Sequence, residues 1–404
     1  MSKSTKLFIL SLVLIQLCTA APLVVQNLTV CLHGTTSLTA VEAQAAMKVA
    51  GDVLQKSDFT GDIACPVSFK LSGPVAGSSD RSQKRIKNDD DLKNICGQPG
   101  YAHIVDAIDY CGKDAPALGC SRANPPCMVV VRAYSSDFPD DEGILWAHEY
   151  GHTKGLVHRD PDDETAVMNQ YIGVTERGVN QTECNAYLKH TASTGAQSAP
   201  TGNAHPAVRD FVHRRYFEGV PYEIASSYGH QDAQALVTLL ENPEEKRYLP
   251  NIVAVLGMIG DPVAIRPLQS FIESGDGTLD PPVANAKLFA PTALGYIVNN
   301  THNTEVVAYL QKGMFPDGWS TKVHWNLPAA ESVRERNLVL AESSIKGLGI
   351  SGVPEAERAL KSVGFSLSPK EGAVIQRAIE RALETNKKIQ QLGLKQFYLQ
   401  NQIR

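Results

Sequence analysis

Three things are missing from this 404-residue chain. It has no excess of positive charge: 38 lysines and arginines stand against 43 aspartates and glutamates, a formal net charge of −5. That balance gives no electrostatic footprint for nucleic acid. Beyond its first residues it has no apolar run long enough to read as a membrane span. It has no Cys-x-x-Cys pair, which disfavours a zinc site built from cysteine, and its last 220 residues contain no cysteine at all.

The residues present then set the compartment. Lys3 and Lys6 precede an apolar run from Leu7 to Leu17, and Thr19, Ala20 and Ala21 are small. This order reads as a secretory signal peptide over 1–21, cleaved near Ala20 or Ala21. The expected product is exported, to the periplasm or the extracellular space, and leaves the membrane after cleavage. Cys18 goes with the signal; Cys31, Cys65, Cys96, Cys111, Cys120, Cys127 and Cys184 remain. In an exported chain they predict a disulfide-stapled first half. Spacing alone does not give connectivity. Pairing neighbours (31–65, 96–111, 120–127) leaves Cys184 over.

Residues 23–33 have strand character, 38–56 have helical spacing, and 66–72 return to strand. The charged stretch 80–95 reads as a solvated helix, and 101–110 and 127–134 as two further strands. The order up to the turn at 135–142 is that of a mixed α/β layer. Residues 193–206 are small and polar, with Pro and Gly, and read as a linker. A repeat follows it. LGMIGDPVAIRPL at 256–268 and LGISGVPEAERAL at 348–360 agree at seven offsets, and ALGYIVNN at 293–300 is a weaker copy. Each copy reads as a helix, a glycine turn, a proline at the next helix start, and a second helix. An insertion around FPDGWSTKVHWNLP separates the second copy from the third.

The chemistry concentrates in HEYGHTKGLVHRD, residues 148–160. On a helix His148 and His152 lie one turn apart on the same face, where both imidazoles can hold one ion. Glu149 projects beside that ion, where a carboxylate can take a proton from water. His158 cannot lie on the same helical face. Gly155 permits the sharp turn that would bring it back as a third ligand. His190, His205, His213 and His230 have no ligand spacing.

The full pattern, H-E-x-x-H-x-x-G-x-x-H, resembles the long zinc motif of the metzincin metallopeptidases. Met168, ten residues past His158 in DPDDETAVMNQY, resembles the methionine of their Met-turn. GLxH and the run to Met168 are similar to the matrixin branch, although the spacing from His158 to Met168 is about two residues longer. The resemblance covers about 23–192. It implies an α/β (α+β) catalytic domain over 22–192 with one catalytic Zn²⁺ on His148, His152 and His158. It also implies that Glu149 activates the zinc-bound water, and that Val129, Val130 and Val131 form an edge strand along which a peptide pairs. Tyr171 stands near the turn where some metzincins keep an oxyanion-stabilising tyrosine, at a different offset. Cys96-Gly97-Gln98-Pro99 resembles the core of the matrixin prosegment cysteine, but it lies inside the domain and reads as a disulfide half. Residues 207–404 resemble HEAT-type repeats, an all-α solenoid with a concave binding surface.

Two acidic clusters flank the zinc helix: Asp137, Asp140, Asp141 and Glu142, then Asp160, Asp162, Asp163 and Glu164. Metzincins often carry Ca²⁺, which stays an alternative for these runs; neither has a calcium-loop spacing, and solvated caps are the favoured reading. The expected function is a secreted zinc endopeptidase acting on a protein or peptide substrate, with the repeats binding substrate or a protein partner. Two rivals stand beside it: a repeat-based binding protein with a vestigial peptidase domain, and a zinc hydrolase of non-protein amides.

Overall fold

The computed structural model describes residues 22–56, 61–77, 84–132, 140–159, 166–172, 178–189, 206–327, 332–362 and 369–401. The expected signal, 193–205 of the linker, Asp137, the cluster from Asp160 to Glu164, His190 and His205 lie outside the described residues. No described helix is long and apolar enough to cross a membrane.

The first half begins with β1 (Val24–Leu28) and β2 (Val30–Leu32), then α1 (Ala40–Leu54), which starts on a capping box between Thr39 and Glu42. β3 (Val67–Leu71), β4 (Ala76–Gly77) and β5 (Arg85–Ile86) precede α2 (Asp89–Cys96). The expected helix at 80–95 is therefore helical only from Asp89. Asn88 caps it there, and three aspartates sit at the positive end of its dipole. The expected strand at 101–110 divides into β6 (Ala102–Val105) and β7 (Ala107–Tyr110). Between them the Asp106 carboxylate accepts from the amides and hydroxyls of Thr35 and Thr36. β8 (Asp114–Ala117), β9 (Gly119–Ala123) and β10 (Pro126–Val131) lead to α3 (Asp141–Thr153), β11 (Tyr171–Ile172) and α4 (Gln181–Leu188).

Five strands form one sheet in the order β4-β2-β6-β10-β9, parallel except for the β10–β9 hairpin. Strand alternation gives it two apolar faces. Val30, Ala102, Ile104, Met128 and Val130 pack with α1 and α3. Val105, Cys127 and Val129 pack with Leu92 and Ile95 of α2. The expected edge strand, Val129 to Val131, lies inside the sheet, because its outer side hydrogen-bonds to β9. The edge is β9.

The disulfides are Cys65–Cys184, Cys96–Cys127 and Cys111–Cys120, and Cys31 is free. The sheet's two faces rule out only the 31–65 pairing; the four cysteines on the α2 side pair among themselves, but as 96–127 and 111–120 rather than as neighbours. Cys65 and Cys184 lie in the core under α1 and α3, whereas Cys96, Cys111, Cys120 and Cys127 lie on the α2 side. Asp141 and Glu142 are not solvated caps. Both are buried, Asp141 against Arg215 and Glu142 2.8 Å from Arg132, so neither is available to calcium.

The second half is helical: α5 (Val208–His213), a short β12 (Arg215–Tyr216), α6 (Tyr222–Ala225) and α7 (His230–Leu240). Three hairpins follow, α8 (Leu249–Ile259) with α9 (Ile265–Glu273), α10 (Pro281–Thr301) with α11 (Thr304–Gly313), and α12 (Val333–Ser351) with α13 (Pro354–Lys361). β13 (Asp276–Thr278) and β14 (His324–Asn326) pair in parallel between them, and α14 (Pro369–Leu392) and α15 (Leu394–Asn401) close the chain. Each first helix ends on a left-handed residue: Gly260 at φ 73°, His302 at φ 54°, Gly352 at φ 60°. The first helices pack successively, α8 on α10, α10 on α12, α12 on α14. The insertion is anchored by two buried tryptophans, Trp319 donating to the Gly313 carbonyl and Trp325 to the Ile272 carbonyl, each at 2.8 Å.

The two halves touch. The Tyr296 hydroxyl donates to the Asp114 carbonyl at 3.0 Å, and Lys84–Glu335, Lys87–Glu342 and Lys346–Asp114 are ion pairs of 2.6, 2.7 and 2.8 Å.

Candidate metal centre

α3 carries His148 and His152 on one face, and almost all of it is buried. It stops at Lys154, and Gly155 follows at φ 82°, in the left-handed region that side chains disfavour. The reversal brings His158 back. His152 Nε2 lies 2.9 Å from His148 Nε2 and 3.2 Å from His158 Nε2. His148 Nδ1 is 2.8 Å from the Val167 carbonyl, and His152 Nδ1 is 2.8 Å from the Leu156 carbonyl. Because a carbonyl only accepts, each Nδ1 donates, and each Nε2 turns a lone pair toward the others. Burial, then the neighbouring imidazoles, hold His148 well below the usual imidazole range; burial, His152 and Lys113 do the same for His158. Neutral nitrogens whose lone pairs converge repel unless a cation lies between them. The triad therefore fits a metal ion, and an all-imidazole donor set suits a transition metal.

Glu149 follows His148 on α3 and is fully buried. Ser121 on β9 donates its hydroxyl to Glu149 Oε2 and sits 3.0 Å from the Glu149 carbonyl. Glu149 Oε1 has no hydrogen-bond partner. Gly119 makes this placement possible, since a Cβ there would lie 2.1 Å from Glu149 Oε1. Burial and the Glu218 carboxylate push the Glu149 carboxyl well above the usual range, with Ser121 opposing.

Met168 is buried under the helix. The Tyr187 hydroxyl is 3.4 Å from Met168 Sδ and 3.0 Å from the Ala147 carbonyl, so it joins the methionine to α3. The preceding residue, Val167, supplies the carbonyl that orients His148. Arg159 extends the support: its amide donates to the Met168 carbonyl at 2.8 Å, and its guanidinium reaches Asp62 at 3.0 Å and Glu183 at 2.8 Å.

Two residues from the far side of the linker complete the centre. The Phe217 ring stacks on His148, with centroids 3.8 Å apart and planes 9° apart. The Glu218 carboxylate lies 3.8 Å from His152 Nε2 and 3.7 Å from His158 Nε2. Pairing on both sides holds this segment. β12 is antiparallel to β11, the Phe217 amide donates to the Gln170 carbonyl, and the Leu118 and Gly119 amides donate to the Phe217 carbonyl at 2.7 and 3.0 Å.

The structure brings the Nε2 atoms of His148, His152 and His158 together, with Glu149 next to His148 on α3 and Met168 buried under that helix. Tyr171 instead packs against Tyr216 and under Arg214, in the core of the helical half. Cys96 is in a disulfide. Gly119, Ser121, Phe217 and Glu218 have no motif in the sequence that marks them. The three disulfides are compatible with an oxidising, extracellular environment. Comparison with protein-family models, with curated proteins and with solved structures finds no match for this chain.

Proposed function

We propose that this chain is an exported zinc-dependent endopeptidase of the metzincin type, held closed by its own residues 215–219. The observation that carries the reading is the convergence of three Nε2 atoms, with Glu149, the residue after His148 on α3, keeping one unpartnered buried oxygen. His148, His152 and His158 would hold the ion; zinc favours three nitrogen ligands with a fourth position open. When bound, the ion supplies a Lewis acid that acidifies water and polarises a carbonyl.

The chain's own groups do the rest. Glu149 is the base, its Oε2 fixed by Ser121 and its Oε1 left to accept a proton and later return it to the leaving amine. The amides at the start of the edge strand β9 pair an extended peptide by strand addition. They now donate to Phe217, so 215–219 lies along the path of a substrate with Glu218 facing the triad. The stacked hairpins, similar to HEAT repeats, offer a surface for a protein substrate or partner.

Glu218 also favours a second reading. As a permanent fourth donor it would close the site, and closed four-ligand sites are structural. The helical half would then be the working part, as a binding module. One experiment separates the two. Zinc content and chelator-sensitive cleavage of casein are measured for the full chain, Glu149→Ala and Glu218→Ala. The peptidase reading expects Glu218→Ala to keep zinc and cleave faster than the parent, and Glu149→Ala to lose about 10²- to 10⁴-fold. If Glu218→Ala loses zinc and cleaves nothing, the centre is structural.

A further inference from the structure

A second donor cluster lies on the other face of the five-stranded sheet. The parallel register of β2 and β6 sets Cys31 opposite His103, and His33, two residues along, projects to the same side as Cys31. All three side chains are buried, both histidines completely. His33 Nε2 and His103 Nδ1 are 3.0 Å apart, matching the nitrogen spacing of the triad. With Cys31 Sγ they make three donor atoms all within 4.8 Å of one another. Gly100, at φ 141°, closes over them: a Cβ there would lie 3.0 Å from His103 Cε1 and 3.2 Å from Cys31 Cβ. Among the described cysteines only Cys31 is outside a disulfide.

We propose that Cys31, His33 and His103 form a second metal site, holding one thiophilic d¹⁰ ion through a thiolate and two imidazoles. A thiolate with two imidazoles selects zinc or copper over calcium and magnesium. Burial decides between them. Three donors and a single thiolate charge suit Cu⁺, which leaves the site neutral; Zn²⁺ would leave a buried positive charge and want a fourth ligand. His103 and Cys31 project with Val105 toward the α2 side, away from α3. The site is therefore independent of the peptidase reading.

The test uses the full chain, stripped by chelator and reloaded anaerobically with Zn²⁺ or with Cu⁺, and counts ions per chain. His148→Gln/His152→Gln removes the first site. Two ions are expected in the parent and one in this double variant, with Cu⁺ retained there against a chelator that strips Zn²⁺. Retention of Zn²⁺ instead keeps the site and overturns the choice of copper. Loading the double variant with Co²⁺ should give a thiolate-to-cobalt charge-transfer band, which Cys31→Ser removes. Should Cys31→Ser fail to fold, the band in the double variant carrying Cys18→Ser decides alone, since Cys31 is the one described cysteine outside a disulfide. One ion in the parent and none in the double variant overturns the proposal, as does a bound ion without the band.

Discussion

Gly151 sits between His148 and His152 on α3, where an added Cβ would come within 2.5 Å of Met168 Sδ and 2.6 Å of the Tyr187 hydroxyl. Gly151→Ala should cost about 1–3 kcal/mol, because Met168 and the hydrogen-bonded Tyr187 are both fully buried and both must shift. Urea unfolding measures it, and an unchanged midpoint would mean that Met168 does not pack under the helix. Residue by residue, the legible part of the centre was the local part. The spacing of His148, His152, His158 and Gly155 is a property of one helix and one turn. Ser121 reaches Glu149 across a sheet edge, and Glu218 arrives from beyond a linker; their positions depend on strand register and docking, which leave no trace in the spacing of neighbours. Cys31, His33 and His103 are the same case, since only the β2–β6 register joins them.

At the scale of elements, the repeat pattern has a packing reason. The first glycine of each copy touches the next helix: Gly257 meets Ala293, Gly295 meets Gly347, Gly349 meets Ala382. The second glycine is the left-handed cap. The middle copy lacks it because α10 runs one turn further and His302 takes that conformation. A Cβ at Gly295 would lie 2.1 Å from the Gly347 carbonyl, a backbone atom that cannot swing aside. Gly295→Ala should therefore destabilise by about 1–3 kcal/mol or more and lower the thermal midpoint of the helical half. The α1 capping box makes a prediction about pH. Glu42 is pulled down to about 2, first by the Thr39 backbone, then by the Thr39 hydroxyl and Arg132. A depressed carboxylate stabilises the fold above its unfolded value, and that contribution is lost as pH falls from about 4.5 toward 2. Thr39→Ala should flatten this acid limb; acid titrations of parent and variant that superimpose would refute the link.

Across the whole molecule, Cys65–Cys184 closes the longest loop of the three disulfides, 119 residues, and joins the chain before β3 to the helix after Met168. Cys65→Ser/Cys184→Ser should lose about 2–5 kcal/mol by denaturant unfolding, more than removal of Cys111–Cys120, whose separation is 9. Equal losses would show that loop length is not what matters here. The halves also share cores. Phe217 packs with α3, while Ala115 and Tyr171 pack with the helices. A fragment ending before residue 206 would therefore lose part of the first half's own interior.

On the proposed peptidase reading, the segment 215–219 belongs to the same molecule as the triad it lies against, so dilution would never weaken it. On that reading it would compete with an incoming peptide at an effective concentration on the order of millimolar. A short peptide that binds only weakly would then be excluded at ordinary levels, and a substrate that also gripped the helical surface would bring a tether of its own and compete on equal terms. Cutting the chain between 190 and 205 should leave residues 215–217 in place, because Arg215, Tyr216 and Phe217 are held by β11, the Gln170 carbonyl and the Leu118 and Gly119 amides.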